Sequence, residues 1–260
     1  MNLDLTGKHA LVCGSTQGIG KAAATELAAL GANVTLIARN EPRLKNAVAD
    51  LPGSGHHDYL VADFSDPGKL RETVAAYLRK EKIIHILVNN TGGPPSGPIT
   101  EAKPEEFMQA FSSHLICNHV LVQEVLPGMK QEKFGRIINV ISTSVKIPLR
   151  NLGVSNTVRA AVGNWAKTLA NEVGAFGITV NNILPGATAT QRLHSIIDNK
   201  VQKTGITKEE AEKEMIREIP AGRFGDPSEI AAAVAFLASP AAAYINGINV
   251  PVDGGRTGSL

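Results

Sequence analysis

Aromatic residues make up only 4% of this 260-residue chain, with 3 tyrosines and 1 tryptophan. Any step that needs a phenol must therefore draw on Tyr59, Tyr77 or Tyr244. Cysteine is nearly absent as well. Cys13 and Cys117 lie in apolar or helical surroundings without metal-ligand spacing, so both read as reduced core thiols, and a disulfide-stapled fold is excluded. No uncharged apolar stretch reaches the roughly 18 residues of a membrane span. The start, Met1-Asn2-Leu3-Asp4-Leu5, has no apolar signal core, so a cytoplasmic location is expected. Excess charge is also lacking: 26 Lys and Arg against 24 Asp and Glu leave +2, and without a basic tract a nucleic-acid partner is not expected. His56-His57 sits in a Gly/Pro-rich loop with no third ligand, which reads as solvated imidazoles and predicts no metal site.

What the chain does have is glycine in ordered places. An apolar run, Ala10-Leu11-Val12-Cys13, feeds Gly14-Ser15-Thr16-Gln17-Gly18-Ile19-Gly20, and beyond it Ile19, Ala23, Leu27 and Leu30 recur at helical spacing as far as Gly31. This is strand, turn and helix. Such a turn presents backbone N–H groups and the positive end of a helix dipole, which suit a pyrophosphate or simply make a tight turn. The spacing G-x-x-x-G-x-G differs from the G-x-G-x-x-G dinucleotide fingerprint, so context carries the reading.

Further strands and helices alternate along the chain. Val34 to Ala38 is a strand whose end offers Arg39 and no acid. A cation there suits a ribose 2′-phosphate, or else Arg39 is a solvated start to a helix capped by Asn40. Tyr59 to Ala62 ends in Asp63, placed to accept from an adenine amino group or to cap the helix beginning near Asp66-Pro67. Ile83 to Val88 is predicted as the fourth strand and runs into Asn89-Asn90-Thr91-Gly92-Gly93-Pro94-Pro95. A long helix is expected from Pro104 to Pro127, then a strand from Arg136 to Ile141, then a helix from Leu152 to Val173. On that last helix Ala160, Ala161, Trp165 and Leu169 form an apolar stripe suited to core or subunit contact. Ile178 to Leu184 is a sixth strand ending in Pro185-Gly186-Ala187-Thr188, and Ile248 to Val252 a last one. The polar segment at about 187–219 reads as a substrate lid, and Asp226-Pro227-Ser228-Glu229 as a capping box. The pattern predicts one α/β domain over residues 1–260: a Rossmann-like doubly wound parallel sheet of about seven strands with helices on both faces.

Over nearly its whole length the chain resembles the short-chain dehydrogenase/reductase family. The resemblance rests on Gly14-x3-Gly18-Ile19-Gly20, Asp63, Asn89-Asn90-Thr91-Gly92, Gly135-Arg136-Ile137-Ile138-Asn139, Pro185-Gly186 and Val252-Asp253-Gly254-Gly255. It implies nicotinamide cofactor binding, NADP(H) over NAD(H) given Arg39, by Gly14, Ser15, Thr16, Gly18, Ile19, Gly20, Arg39, Asp63, Phe64, Asn90, Thr91, Gly92, Arg159, Pro185, Gly186 and Thr188. It also implies a homotetramer or homodimer and a small carbonyl or alcohol substrate.

The family's chemistry rests on Asn, Ser, Tyr and Lys, and here the carry-over departs. Ser142 matches the serine, but thirteen residues on stands Ser155 in place of tyrosine, four further on Arg159 in place of lysine, and His114 holds the asparagine position. An aliphatic hydroxyl is a far poorer acid than a phenol with a pKa near 10, and Arg159 stays charged. His114, with an ordinary pKa near 6.5, is then the titratable candidate for proton donor, alongside water or a purely structural role for this residue. Three readings remain open: an NADP(H)-dependent oxidoreductase with an altered proton relay, an NADP(H)-binding sensor or partner subunit, and a different reaction on the same fold.

Overall fold

The structure, a computed structural model, describes residues 1–80 and 83–259; residues 81, 82 and 260 of the expected single domain lie outside the described residues. Among the described residues, seven parallel strands form one sheet in the order β3-β2-β1-β4-β5-β6-β7. The strands are β1 (His9–Cys13), β2 (Asn33–Ala38), β3 (Asp58–Val61), β4 (Ile86–Asn89), β5 (Gly135–Val140), β6 (Ile178–Pro185) and β7 (Asn249–Val252). Alternation along the strands splits the core in two. Val12, Val34, Leu36, Ile86 and Val88 meet helices α1 (Gly18–Ala29), α2 (Glu41–Ala49) and α9 (Pro227–Ala238) on one face. Leu11, Cys13, Ile37, Leu87 and Ile137 meet α3 (Pro67–Leu78), α5 (Cys117–Glu132) and α6 (Gly153–Val173) on the other. A helix layer on each side of a parallel sheet is the doubly wound architecture the sequence predicts.

Local chemistry fixes many of the helix starts. Asn40 Oδ1 accepts from Arg43 N–H at 2.9 Å, Asp66 Oδ1 from Lys69 N–H at 3.0 Å, and Asp226 caps α9 with Glu229 returning the bond in a capping box. Asp66, not Asp63, caps α3; the Asp63 carboxylate instead accepts from Ser65 N–H at 2.9 Å.

Some boundaries differ from the sequence expectation. The fourth strand begins at Ile86, not Ile83. The long helix does not end at Pro127: α4 (Pro104–Phe111) continues through a π-helical turn, Ser112–Ile116, into α5, which runs on to a left-handed Lys133. Burial of Val125 and Met129 holds the helix past its proline. On α6 the buried stripe is Val158, Val162, Ala166, Ala170 and Val173, so Trp165 and Leu169 lie only half-buried at its edge and Ala160 is exposed. His57 is not simply solvated, since Nδ1 accepts from Val34 N–H at 3.3 Å and ties its loop to β2. The polar segment after β6 folds as two helices, α7 (Gln191–Thr204) and α8 (Lys208–Arg217), around Leu193, Ile197 and Ala211.

Across four neighbouring strands the same register position holds asparagine: Asn89, Asn139, Asn182 and Asn249. Each side-chain amide donates to the next, at 2.8, 2.9 and 2.8 Å. Replacing the central member by Asn139→Leu strands the Asn89 donor and the Asn182 acceptor in the core, so unfolding stability is expected to fall by about 2–5 kcal/mol. Urea unfolding checks this, and a change within about 0.5 kcal/mol would show that the ladder adds little.

Candidate functional site

The sheet order reverses between β1 and β4, where open α/β folds form their crevice. Two strand ends interlock at that point. Asn90, just after β4, donates its side-chain amide to the carbonyls of Cys13 and Gly14, each at 3.3 Å. Gly14 has φ +57°, and a Cβ there would stand 2.4 Å from Asn90 O; one on Gly20 would stand 2.3 Å from Gly14 O. Only glycine fits either place. Gln17, the residue before α1, gives its helix no side-chain cap, and the wholly buried Ser15 Oγ has no partner among the described residues. Free N–H groups at a helix start, a backbone that admits close approach and an unsatisfied hydroxyl fit a pyrophosphate.

The ribose end is cationic. Arg39 is exposed at the end of β2, and Arg43 Nη1 reaches Gln17 Oε1 at 3.5 Å across the α1 start. Asp63 is held below the usual carboxylate range, first by the Ser65 N–H bond, with Arg39 adding to the effect. Phe64 presents its carbonyl to Cys117 Sγ at 3.2 Å, and burial pushes the Cys117 thiol up to about 12. Both cysteines are buried and free, as expected, and among the described residues no His, Cys, Asp or Glu cluster could hold a metal.

Apart from Arg159, which comes from α6, the expected cofactor contacts lie at the carboxyl edge of the sheet. Gly14 to Gly20 follow β1, Arg39 follows β2, Asp63 and Phe64 follow β3, and Asn90 to Gly92 follow β4; Gly186 and Thr188 follow β6, with Pro185 its last residue. Thr188 Oγ1 donates to Gly186 O at 3.1 Å, and Thr190 caps α7 by accepting from Leu193 N–H at 3.4 Å. Thr190 also sits over the glycine turn, 3.2 Å from where a Cβ on Gly18 would be. The start of the segment after β6 thus packs directly on the glycine turn.

Ser142 follows β5 closely, where its Oγ accepts from Ser144 N–H at 3.1 Å, leaving the hydroxyl proton to donate elsewhere. Ser155 is half-buried on α6, one turn before Arg159, which is buried and donates from Nη1 to Val140 O at 3.2 Å. Burial, with Arg192 adding to it, lowers the Arg159 guanidinium to about 10, so it stays charged at neutral pH. None of the three tyrosines substitutes for a phenol here: Tyr77 bonds Thr35 on the far half of the sheet, Tyr59 donates to Glu41, and Tyr244 is fully exposed.

His114 lies in the π-helical turn, 3% exposed, with Nδ1 at 2.5 Å from Thr91 Oγ1. Burial above all, then Arg159 and Arg192, lowers its pKa to about 3. This corrects the expectation of a histidine titrating near 6.5, because at neutral pH the ring carries no proton to spare as an acid. A neutral imidazole here fixes Thr91 and the loop after β4.

Two contributors, Ser144 and Arg43, were not singled out in the sequence, and Arg192 stood there only as one of several cations after β6, with His194, Lys200 and Lys203, either meeting an anionic substrate or forming a solvated face. Arg192, the second residue of α7, donates to Pro94 O at 2.7 Å and adds to the effect of burial on His114 and Arg159. Ser144 carries a buried Oγ without a partner among the described residues, and Arg43 stands beside Gln17. A cation near the lid start was visible in the sequence; that it reaches back to the loop after β4 was not.

The comparisons agree with this geometry. Residues 14–257 match the family model described as enoyl-(acyl carrier protein) reductase. The chain is 36% identical over 255 residues to the 3-oxoacyl-(acyl-carrier-protein) reductase FabG of Vibrio cholerae, covering 97% of this chain and 98% of that one. It is 31% identical over 264 residues to the NADPH-dependent reductase BacG of Bacillus subtilis, covering 98% and 100%. Among solved structures, L-sorbose reductase from Gluconobacter frateurii, complexed with NADPH and L-sorbose, superposes with a TM-score of 0.93 at 30% identity over 100% of both chains.

A histidine that is neutral only because it is folded makes stability pH-dependent. With its folded pKa near 3 and an unfolded value near 6.5, His114 contributes fully above about pH 6.5 and loses that contribution as pH falls toward 3. In that window the unfolded chain binds one more proton, so this residue adds a slope of about 1.4 kcal/mol per pH unit. His114→Asn is expected to remove it. Urea unfolding at pH 4.5, 5.5 and 7 checks this, and equal slopes in both proteins would place the His114 pKa near its ordinary value.

Proposed function

The chain belongs to the short-chain dehydrogenase/reductase family, and from that premise we propose that it is an NADP(H)-dependent oxidoreductase that reduces a carbonyl, or oxidises the matching alcohol, by a relay without a phenol. The observation that carries this reading is the glycine turn, whose interlock with Asn90, uncapped helix start and unpartnered Ser15 hydroxyl fit a dinucleotide. Relatives whose names specify NADPH support the choice of cofactor, as do Arg39 and Arg43 at the ribose end.

In this reading Gly14 to Gly20 hold the pyrophosphate, Arg39 and Arg43 the 2′-phosphate, and Asn90, Thr91 and Gly92 the nicotinamide half. When bound, the reduced cofactor supplies a hydride to the carbonyl carbon. The chain's own residues handle the oxygen. Ser142, its lone pair engaged by Ser144 N–H, donates its proton in a hydrogen bond to the substrate oxygen, and Ser155 approaches from α6. Arg159, anchored on Val140 O, keeps a permanent positive charge beside the developing alkoxide and the ribose hydroxyls. No side chain in this set is an acid near pH 7, so water reached through the serine hydroxyls delivers the proton.

The test is NADPH oxidation on a panel of ketones, β-keto esters and quinones by the native protein and by the Ser155→Tyr/Arg159→Lys double variant. Native turnover is expected, with the double variant faster by about 10²-fold or more, since a positioned general acid contributes about 10²–10⁴-fold. If only the double variant turns over, the native chain is a cofactor-binding protein and the relay is wrong.

A further inference from the structure

A cavity of about 450 Å³ opens between the loop after β4 and the lid, lined by Gly93, Pro95, Ser96, Arg192, Asn199 and Lys203. Its lid-side residues come from one stripe of α7, at spacings of seven and four. Two of them are cations and none of the six is an acid. Lys200 on the same helix is paired with Glu214, whereas among the described residues neither Arg192 nor Lys203 has a carboxylate within ion-pair reach. Arg192 spends one amino group on Pro94 O and lies 3.4 Å from the Cβ position of Gly93, which leaves the rest of its fork for a ligand. Its charge adds to that of Arg159, and both act on His114. Positive charge therefore lines the α7 wall of the cavity, where none of the lining residues is an acid.

We propose that this cavity binds a carboxylate of the substrate, so that the protein acts on oxo acids, or the corresponding hydroxy acids, rather than on neutral ketones. The inference rests on the reductase reading for the ketone and on the cavity for the acid. Arginine's planar fork matches a carboxylate in two parallel bonds, with Lys203 supplying a second, mobile charge and Asn199 an amide donor. A phosphate fits less well. Phosphates are commonly gathered by successive backbone N–H groups, and Pro94, Pro95 and Pro98 contribute none, while Gly97 N–H is already donated to Asn151 O at 2.8 Å. The carboxylate also closes the lid: bound between α7 and the 93–96 loop, it bridges the two segments that Arg192 already joins.

The experiment measures binding and turnover separately on matched pairs, acetoacetate with methyl acetoacetate and 4-oxopentanoate with methyl 4-oxopentanoate. Calorimetric titration into the NADP-loaded protein reads binding, and NADPH oxidation reads turnover. At least one acid is expected to bind about tenfold or more tighter than its ester. Lys203→Gln, an exposed change that anchors nothing in the fold, is expected to remove several-fold of that preference, and Arg192→Gln most of it. Arg192→Lys should restore part. Equal binding of acid and ester by the native protein would overturn the proposal, as would a preference that survives Lys203→Gln and Arg192→Gln together. Displacement of the acid by equimolar inorganic phosphate would reassign the cavity to phosphate esters and also overturn it. An acid preference in binding without any NADPH oxidation would sustain the cavity's role and remove the reductase reading; oxidation of the esters without acid preference would do the reverse.

Discussion

Two weak hydrogen bonds from one amide hold the site together. The Asn90 side chain ties the carbonyls of Cys13 and Gly14 to the end of β4, and the absence of side chains at Gly14 and Gly20 lets the three backbones approach. The crevice at the sheet's reversal point, the start of α1 and the loop carrying Thr91 to Gly93 take their positions from that interlock. Through Thr91 it extends to His114 and through Gly93 and Pro94 to Arg192, so the turn, the π-helical segment and the lid form one connected assembly. The asparagine ladder sets the neighbouring strands to the same level, which keeps the ends of β4, β5 and β6 in register beneath the site.

Much of this was legible in the chain itself because the signals are local. A strand, glycine turn and helix, an alternating sheet pattern and the caps at Asn40, Asp66 and Asp226 each depend on residues within a few positions. The order of strand ends placed Gly14, Arg39, Asp63, Asn90 and Gly186 on one edge of the sheet without any three-dimensional information. Ser142, Ser155 and Arg159 were named from the family resemblance rather than from the chain's own pattern.

What was not legible depends on contacts between distant segments. The pKa of His114 cannot be read from its neighbours in sequence, since it follows from burial and from Arg159 and Arg192, 45 and 78 positions away. The helix running through Pro127 is sustained by tertiary burial that overrides a local breaker. The polar composition of the segment after β6 concealed a helix pair with a small core of its own, and nothing in its sequence disclosed that Thr190 covers Gly18 or that Arg192 reaches Pro94. Those long-range contacts lower the histidine's pKa and bring Arg159 and Arg192 to bear on it.

The glycine turn, with Arg39 and Arg43 beside it, is the proposed cradle for a phosphorylated dinucleotide. The most direct test is equilibrium titration of the native protein with NADPH and with NADH, followed by cofactor fluorescence. Arg39 and Arg43 predict NADPH bound about tenfold or more tighter than NADH, with the difference shrinking as salt is raised. Equal affinity for the two would remove the 2′-phosphate site, and binding of neither would contradict the account at its base.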